Sequence, residues 1–192
     1  MSTLQLQTAR LTLRPYEVTD IPDLIRLAGA REVAATTLRI PHPYTEDAAQ
    51  QFITTCEQDA ASGSITRFAI CLRNTAEFCG GIGLRMDEGQ PHRAELGYWL
   101  GVPYWGLGYA TEAAQAMLDY GFGTLGLHRI YASYVIQNAA SGRVLRKIGM
   151  TREGGFRGHI LKWEQLHDIE CYGMLKSDWK DRSEDSGVPN QL

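Results

Sequence analysis

Apolar positions along this chain follow two periods, and the switches between them mark out the elements. Residues 10–14 alternate, with Leu11 and Leu13 on one side, which predicts a half-buried strand ended by Pro15. Thr19 or Asp20 then caps a helix that tolerates Pro22 in its first turn and carries Ile21, Leu24, Ile25 and Ala28 on one face until Gly29. A short helical segment follows over residues 31–36. Residues 40–44 are extended or turning, because the residues before Pro41 and Pro43 avoid the helical region. Thr45 caps a longer helix whose stripe is Ala49, Phe52, Ile53, Cys56 and Ala60. Glu46 and Asp47 sit at its positive end, and Gly63 stops it.

From there the period shortens. Residues 65–72 and 78–86 read as two strands of an antiparallel hairpin, the second weakened by Gly80, Gly81 and Gly83, which suggests a bulge or close backbone packing. A turn over residues 87–91 leads into a strand over 94–100, then into a helix that opens near Tyr109 and carries Ala113, Ala116, Met117 and Tyr120 on one face. Gly126 is its C-cap, and residues 129–135 form the next strand. Strand, helix and strand in that order require a parallel pair with a right-handed crossover. Asn138 caps another helix, with Ala140, Val144, Leu145 and Ile148 on its apolar side and Gly149 as its stop. Two last strands are expected over residues 150–156 and 169–175. The expected class is α/β (α+β): a mixed, mostly antiparallel sheet with helices on both faces, one domain over residues 1–179. The polar tail over residues 180–192 reads as disordered.

Composition narrows the function. With 192 residues, 44% of them hydrophobic, the chain can bury a core without staples. A net charge of -3 gives no electrostatic case for nucleic acid or an anionic membrane. The four cysteines are scattered and apolar in context, which suits free thiols in a reducing compartment, and the five histidines lack metal-ligand spacing. No run approaches membrane-spanning length, so a cytoplasmic protein without a metal is expected.

The candidate chemistry sits at the turn before the 109–120 helix. Gly106 and Gly108 let a ligand approach the backbone without meeting a Cβ, and the helix start offers unpaired N–H groups and a positive partial charge. An anion fits there, most naturally a phosphate. A P-loop is excluded, because Tyr109 and Ala110 stand where Lys and Ser/Thr are required. A dinucleotide fingerprint would need Gly in place of Thr111 and a carboxylate near residues 128–131, and has neither. Taken alone, the turn is equally compatible with a plain strand–turn–helix bend.

Its neighbours decide the matter. Trp105-Gly106-Leu107-Gly108-Tyr109-Ala110 followed by Thr111-Glu112-Ala113 resembles the acyl-CoA pyrophosphate loop of the GNAT N-acetyltransferase superfamily. The wider superfamily shows Q/R-x-x-G-x-G/A, and Trp105 at the first place looks like the ribosomal-protein (RimJ/RimL-like) branch. Further matches run in order: the strand around residues 9–16, residues 41–53, residues 125–150 and residues 167–179. The resemblance implies acetyl-CoA as acyl donor. Residues 105–111, namely Trp105, Gly106, Leu107, Gly108, Tyr109, Ala110 and Thr111, would hold its pyrophosphate. Peptide groups around Leu100 and Val102 would meet pantetheine and the developing oxyanion, with Asn138 beside the pantetheine amides and Ser141 near the sulfur. It also implies that strands 94–100 and 129–135 splay to admit the pantetheine arm. Leu145 stands where many members carry a tyrosine acid, which leaves Ser141, a water or no dedicated acid.

Glu95 is the candidate base. By alternation it shares a face with Gly97 and Trp99, opposite Leu96, Tyr98 and Leu100. The plain alternative is a solvated carboxylate or a partner for Arg93; Glu153 is a second candidate, better read as a surface ion pair. Acceptor specificity is expected from irregular segments 36–44, 86–92 and 156–167, with Tyr44, Phe156, Arg157 and Trp163 as lining candidates. Three readings follow: acetylation of a protein N-terminal α-amine, which is favoured; acetylation of a polyamine or aminoglycoside; or a silent acyl-CoA-binding module. A homodimer is compatible with the composition.

Overall fold

The computed structural model describes residues 4–185. Eight strands form one sheet in the order β1-β2-β3-β4-β5-β6-β8-β7. They are β1 (Leu6–Gln7), β2 (Leu11–Arg14), β3 (Ile65–Leu72), β4 (Phe78–Asp87), β5 (Gln90–Leu100), β6 (Arg129–Val135), β7 (Thr151–Lys162) and β8 (Gln165–Leu175). Every neighbouring pair is antiparallel except β5–β6. That pair encloses α4 (Tyr109–Asp119), as a strand–helix–strand unit demands.

The early helices are α1 (Ile21–Ala28), α2 (Arg31–Thr36) and α3 (Glu46–Ser62). α1 buries Ile21, Leu24, Leu27 and Ala28, so Leu27 rather than Ile25 completes its apolar face. α3 starts where Thr45 accepts a hydrogen bond from the Ala48 N–H at 3.2 Å, a cap worth about 1 kcal/mol. Its buried positions are Ala49 and Ile53; Phe52 and Cys56 are partly buried and Ala60 is exposed. α4 buries Ala113, Ala114, Met117 and Leu118, and continues into a π-helical turn over Tyr120–Thr124.

Three expectations need correcting. β5 begins at Gln90 and pairs back to Asp87, so the 86–92 segment is a strand hairpin with a register shift between Met86 and Asp87 rather than a loop. Residues 156–167 likewise belong to strands, as β7 and β8 form a long hairpin turned at Trp163 and Glu164, both at positive φ. Gly154, Gly155 and Gly158 mask that strand in the sequence, and the register shifts between Arg152/Gly154 and Phe156/Ile160 break its alternation. Finally, α6 runs over Lys176–Asp185, past the point where the sequence reads as a disordered tail; residues 186–192 lie outside the described residues. Trp179 anchors α6, donating its indole N–H to Asp119 Oδ1 at 2.8 Å and packing its ring 5.7 Å from Phe122. Among the described residues no helix is long and apolar enough to cross a membrane.

Candidate active site

The turn after β5 is built to leave backbone N–H groups open. A short 3-10 turn over Val102–Tyr104 ends at Trp105, whose indole N–H donates to the Leu100 carbonyl at 2.8 Å and fixes the end of the strand. Gly106 and Gly108 take φ of +77° and +83°, the left-handed region that costs other residues about 1–2 kcal/mol. Gly108 is the N-cap of α4, and no side chain caps that helix start. A Cβ at Gly106 would meet nothing within 4 Å. Leu107 and Trp105 are half-exposed beside it.

A brace from the β1–β2 turn holds this loop, and pattern reasoning did not find it. Arg10 Nη1 donates to the Leu107 carbonyl at 3.0 Å, and its guanidinium lies 4.7 Å over the Tyr109 ring. Its Nε meets Glu112 Oε2 at 2.7 Å, while the Arg10 backbone N–H (2.7 Å) and the Thr8 hydroxyl (2.6 Å) both donate to Glu112 Oε1. Burial alone would raise the Glu112 pKa; these hydrogen bonds and the arginine charge outweigh it and hold the carboxyl below its usual range. A cavity of about 590 Å³ opens beside the brace, lined by Thr8, Arg10, Gly108, Thr111, Gln115 and Lys147 among others. An open helix start with two cations nearby fits a pyrophosphate.

The parallel pair is split. β5 and β6 pair only at Arg93↔Arg129, Ala94↔Ile130 and Glu95↔Tyr131, although the strands run on to Leu100 and Val135. The Gly101 N–H bonds the Cys79 carbonyl of the β4 side, so by alternation Leu96, Tyr98 and Leu100 turn their backbone groups toward the gap. The Leu100 carbonyl is already taken by Trp105, leaving the N–H groups for a ligand.

α5 (Ala139–Lys147) forms the far wall. Asn138 caps it, with Oδ1 accepting from the Ser141 N–H at 3.1 Å, and its Nδ2 donates to the Thr36 carbonyl at 3.0 Å. The Ser141 hydroxyl lies 2.8 Å from Tyr98 Oη. Burial pushes the Tyr98 phenol up to about 12, with the serine contact opposing the shift, so it is neutral at physiological pH. Leu145 is fully buried in the core.

Between the sheet and the α1–α3 layer lies a larger cavity of about 680 Å³. Glu95, Tyr98 and Ser141 all line it. Alternation places Glu95 and Tyr98 on opposite faces; the split lets one cavity reach both. Glu95 is 7% exposed, and Arg39 Nη2 (2.7 Å) and Arg85 Nη2 (2.5 Å) both donate to its Oε2. Neither alternative for Glu95 holds, as it is buried, and Arg93 pairs with Asp87 at 2.6 Å instead. Glu153 is bound by the Arg129 guanidinium, which lowers its pKa, and lies outside this cavity. Of the predicted lining residues Tyr44 is in place; Phe156, Arg157 and Trp163 line neither cavity. Trp163 instead lies under Arg31 and Lys162, and Lys162 Nζ donates to the Ala34 and Thr37 carbonyls, tying the β7–β8 turn to the C-terminal end of α2.

A family profile described as acetyltransferase (GNAT) domain matches residues 10–151. An uncharacterized N-acetyltransferase, p20, of Bacillus licheniformis is 34% identical over 175 residues, 91% of this chain and 97% of its own length. The ribosomal protein uS5-alanine N-acetyltransferase of Escherichia coli is 33% identical over 92 residues, 48% of this chain and 47% of its own. A crystal structure of a GNAT-family acetyltransferase from Bacillus anthracis superposes with a TM-score of 0.81 at 29% identity, covering 91% of this chain and 99% of that one.

Proposed function

The chain belongs to the GNAT family of acetyltransferases, and on that premise we propose that it acetylates the α-amine of a peptide N-terminus by direct attack on acetyl-CoA. The enzyme class and the donor are those of the family: an N-acetyltransferase dependent on acetyl-CoA. The α-amine, and the roles given to each residue, are our reading.

One observation carries the choice of acceptor. The larger cavity is lined by Arg39, Arg67 and Arg85 against a single carboxylate, Glu95. Asp59 outside the lining matches Arg67, so Glu95 with its two arginines leaves one positive charge in surplus. A spermidine or aminoglycoside would bring several positive charges to that surface; an α-amine brings one and sheds it easily. Deprotonating an α-amine with a pKa near ~7.8 costs about 1 kcal/mol at pH 7, against roughly 4.6 kcal/mol for a lysine-type amine.

In this reading the residues of the 105–111 loop bind the donor's pyrophosphate, and the N–H groups of β5 that face the gap orient its pantetheine and steady the carbonyl oxygen as it gains charge. Glu95 takes the amine's proton, directly or through water; both arginines meet Oε2, so Oε1 is the oxygen that faces this task. As the nitrogen–carbon bond forms and the carbon–sulfur bond breaks, Ser141 donates a hydrogen bond to the departing sulfur, oriented by Tyr98. Burial raises the Tyr98 pKa, so in this reading its phenol orients Ser141 rather than acting as the acid.

The test is a competition for acetyl-CoA among short peptides with free N-termini, the same peptides blocked there but carrying lysine, spermidine, and an aminoglycoside. Preference for the free N-termini is expected. Preference for blocked lysine peptides or spermidine overturns the reading, and CoA binding without turnover on any of them favours the silent module.

A further inference from the structure

The two ends of the larger cavity differ in chemistry, and its middle is floored by two glycines. Gly83 and Gly97 face each other in register across β4 and β5, so these two positions add no side chain to the floor, and Arg67, in register with Gly83 on β3, reaches over its edge. A Cβ at Gly97 would meet nothing within 4 Å, and its φ lies outside the region reserved for glycine. The absence of a side chain therefore serves the cavity rather than the backbone. Toward one end stand Glu95, Arg39 and Arg85; toward the other stand Trp99, Tyr16 and Phe52. Glu95 and Trp99 are four residues apart on one strand, hence ~13 Å.

The far end is a shaped aromatic box. Tyr16 meets Phe52 edge to face with centroids 5.0 Å apart, and Phe78 backs Trp99 at 5.9 Å. The Tyr16 hydroxyl and the Trp99 indole nitrogen both close on Gly81, where a Cβ would lie 1.8 Å from the first and 2.7 Å from the second. With their polar tips gathered over Gly81, the two rings offer apolar surface to an occupant. At the near end Arg39 comes from the segment between α2 and α3, and its side chain is 58% exposed, so it can turn from Glu95 to an incoming anion.

We infer that the acceptor carries its α-amine between an apolar, preferably aromatic, first side chain and an anionic group. The first sits among Tyr16, Phe52 and Trp99, the amine lies over Gly97, and the anion meets Arg39 and Arg85. This rests on the α-amine reading above and narrows it to a substrate class: an acidic peptide with an apolar head, or a small conjugate of an aromatic amino acid with the same charge.

The test measures kcat/KM for free-N-terminus peptides whose first residue is Phe, Leu, Ala or Lys, followed by either Asp or Lys, with the dipeptide Phe-Asp as the small-molecule arm. Phe followed by Asp is expected to exceed Lys followed by Lys by at least ~10-fold, the scale on which a hydrophobic pocket discriminates. Equal rates for the dipeptide and the longer peptides identify a small conjugate as sufficient; faster longer peptides identify a polypeptide. Gly97→Val should cut turnover of Phe-first acceptors by about 10-fold or more with CoA affinity and melting temperature unchanged. Arg39→Gln should erase the preference for Asp over Lys while keeping that for Phe. Rates uniform within about twofold across the set, or a Gly97→Val enzyme that turns over Phe-first acceptors as fast as the parent, overturn the inference. Turnover of no peptide at all, with CoA still bound in calorimetry, instead overturns the α-amine reading and the inference with it.

Discussion

The Tyr98 hydroxyl lies 2.8 Å from Ser141 Oγ, joining β5 to the head of α5 where the sheet has split. Both groups belong to the arms of the gap rather than to its floor, and the proposed mechanism brings the thioester sulfur to their contact. A neutral phenol behind a serine is a fixed donor pair, able to stabilise a thiolate without surrendering a proton.

Ser141→Ala should therefore lower kcat by roughly 10-fold, the worth of one hydrogen bond made in the transition state, and leave CoA affinity within a factor of about two. Tyr98→Phe should show a smaller loss of the same kind. Stopped turnover against calorimetric CoA affinity separates the possibilities, and equal losses in both would mark Ser141 as a residue that merely positions the donor.

Glu95→Gln keeps the size of the side chain and its place between Arg39 and Arg85 but cannot take a proton. We expect kcat at neutral pH to fall by ~10²–10⁴-fold and to recover in part at high pH, where the amine is already neutral. A pH–rate profile parallel to that of the parent would assign the proton to ordered water.

Gly108→Val adds a side chain at φ +83° and within 3.3 Å of the Arg10 guanidinium. The strained backbone should cost about 1–2 kcal/mol, a few degrees of melting temperature in a chain of this size. CoA affinity should fall much further, by at least ~10-fold, because the branch covers the open N–H groups of α4. A variant that melts a few degrees lower yet binds CoA as before would remove the pyrophosphate assignment.

Glu112 supplies an acid-side signature. Its folded pKa lies below the unfolded value, so its contribution is present above the unfolded pKa and fades as pH falls through the folded one. Glu112→Gln should melt lower than the parent at pH 7, and the gap should narrow as both are taken to about pH 3. A gap that stays constant with pH would mean that the Thr8 and Arg10 contacts act through packing alone.

Much of this was legible in the sequence. The glycines before α4, the cap at Asn138 and the strand–helix–strand unit were readable as the open helix start, the start of α5 and the parallel pair. Periodicity names a face, though, and says nothing of which distant segment faces it. Arg39 lies 56 residues from Glu95, and Arg10 lies 102 from Glu112, so neither partner carries a local signal. Tyr98 looked turned away from the chemistry because alternation assumes a continuous sheet, and here the sheet opens after Glu95. The two last strands read short in the sequence, over 150–156 and 169–175, because the glycines and register shifts of β7 erase its two-residue period toward the turn.

The acceptor nitrogen is open to direct observation. A peptide with a free N-terminus and an internal lysine, incubated with the enzyme and acetyl-CoA, can be fragmented in a mass spectrometer to find the acetyl group. It should lie on the α-nitrogen, with the lysine unmodified. An acetyl group on the lysine ε-nitrogen, with the N-terminus left free, would contradict the proposal.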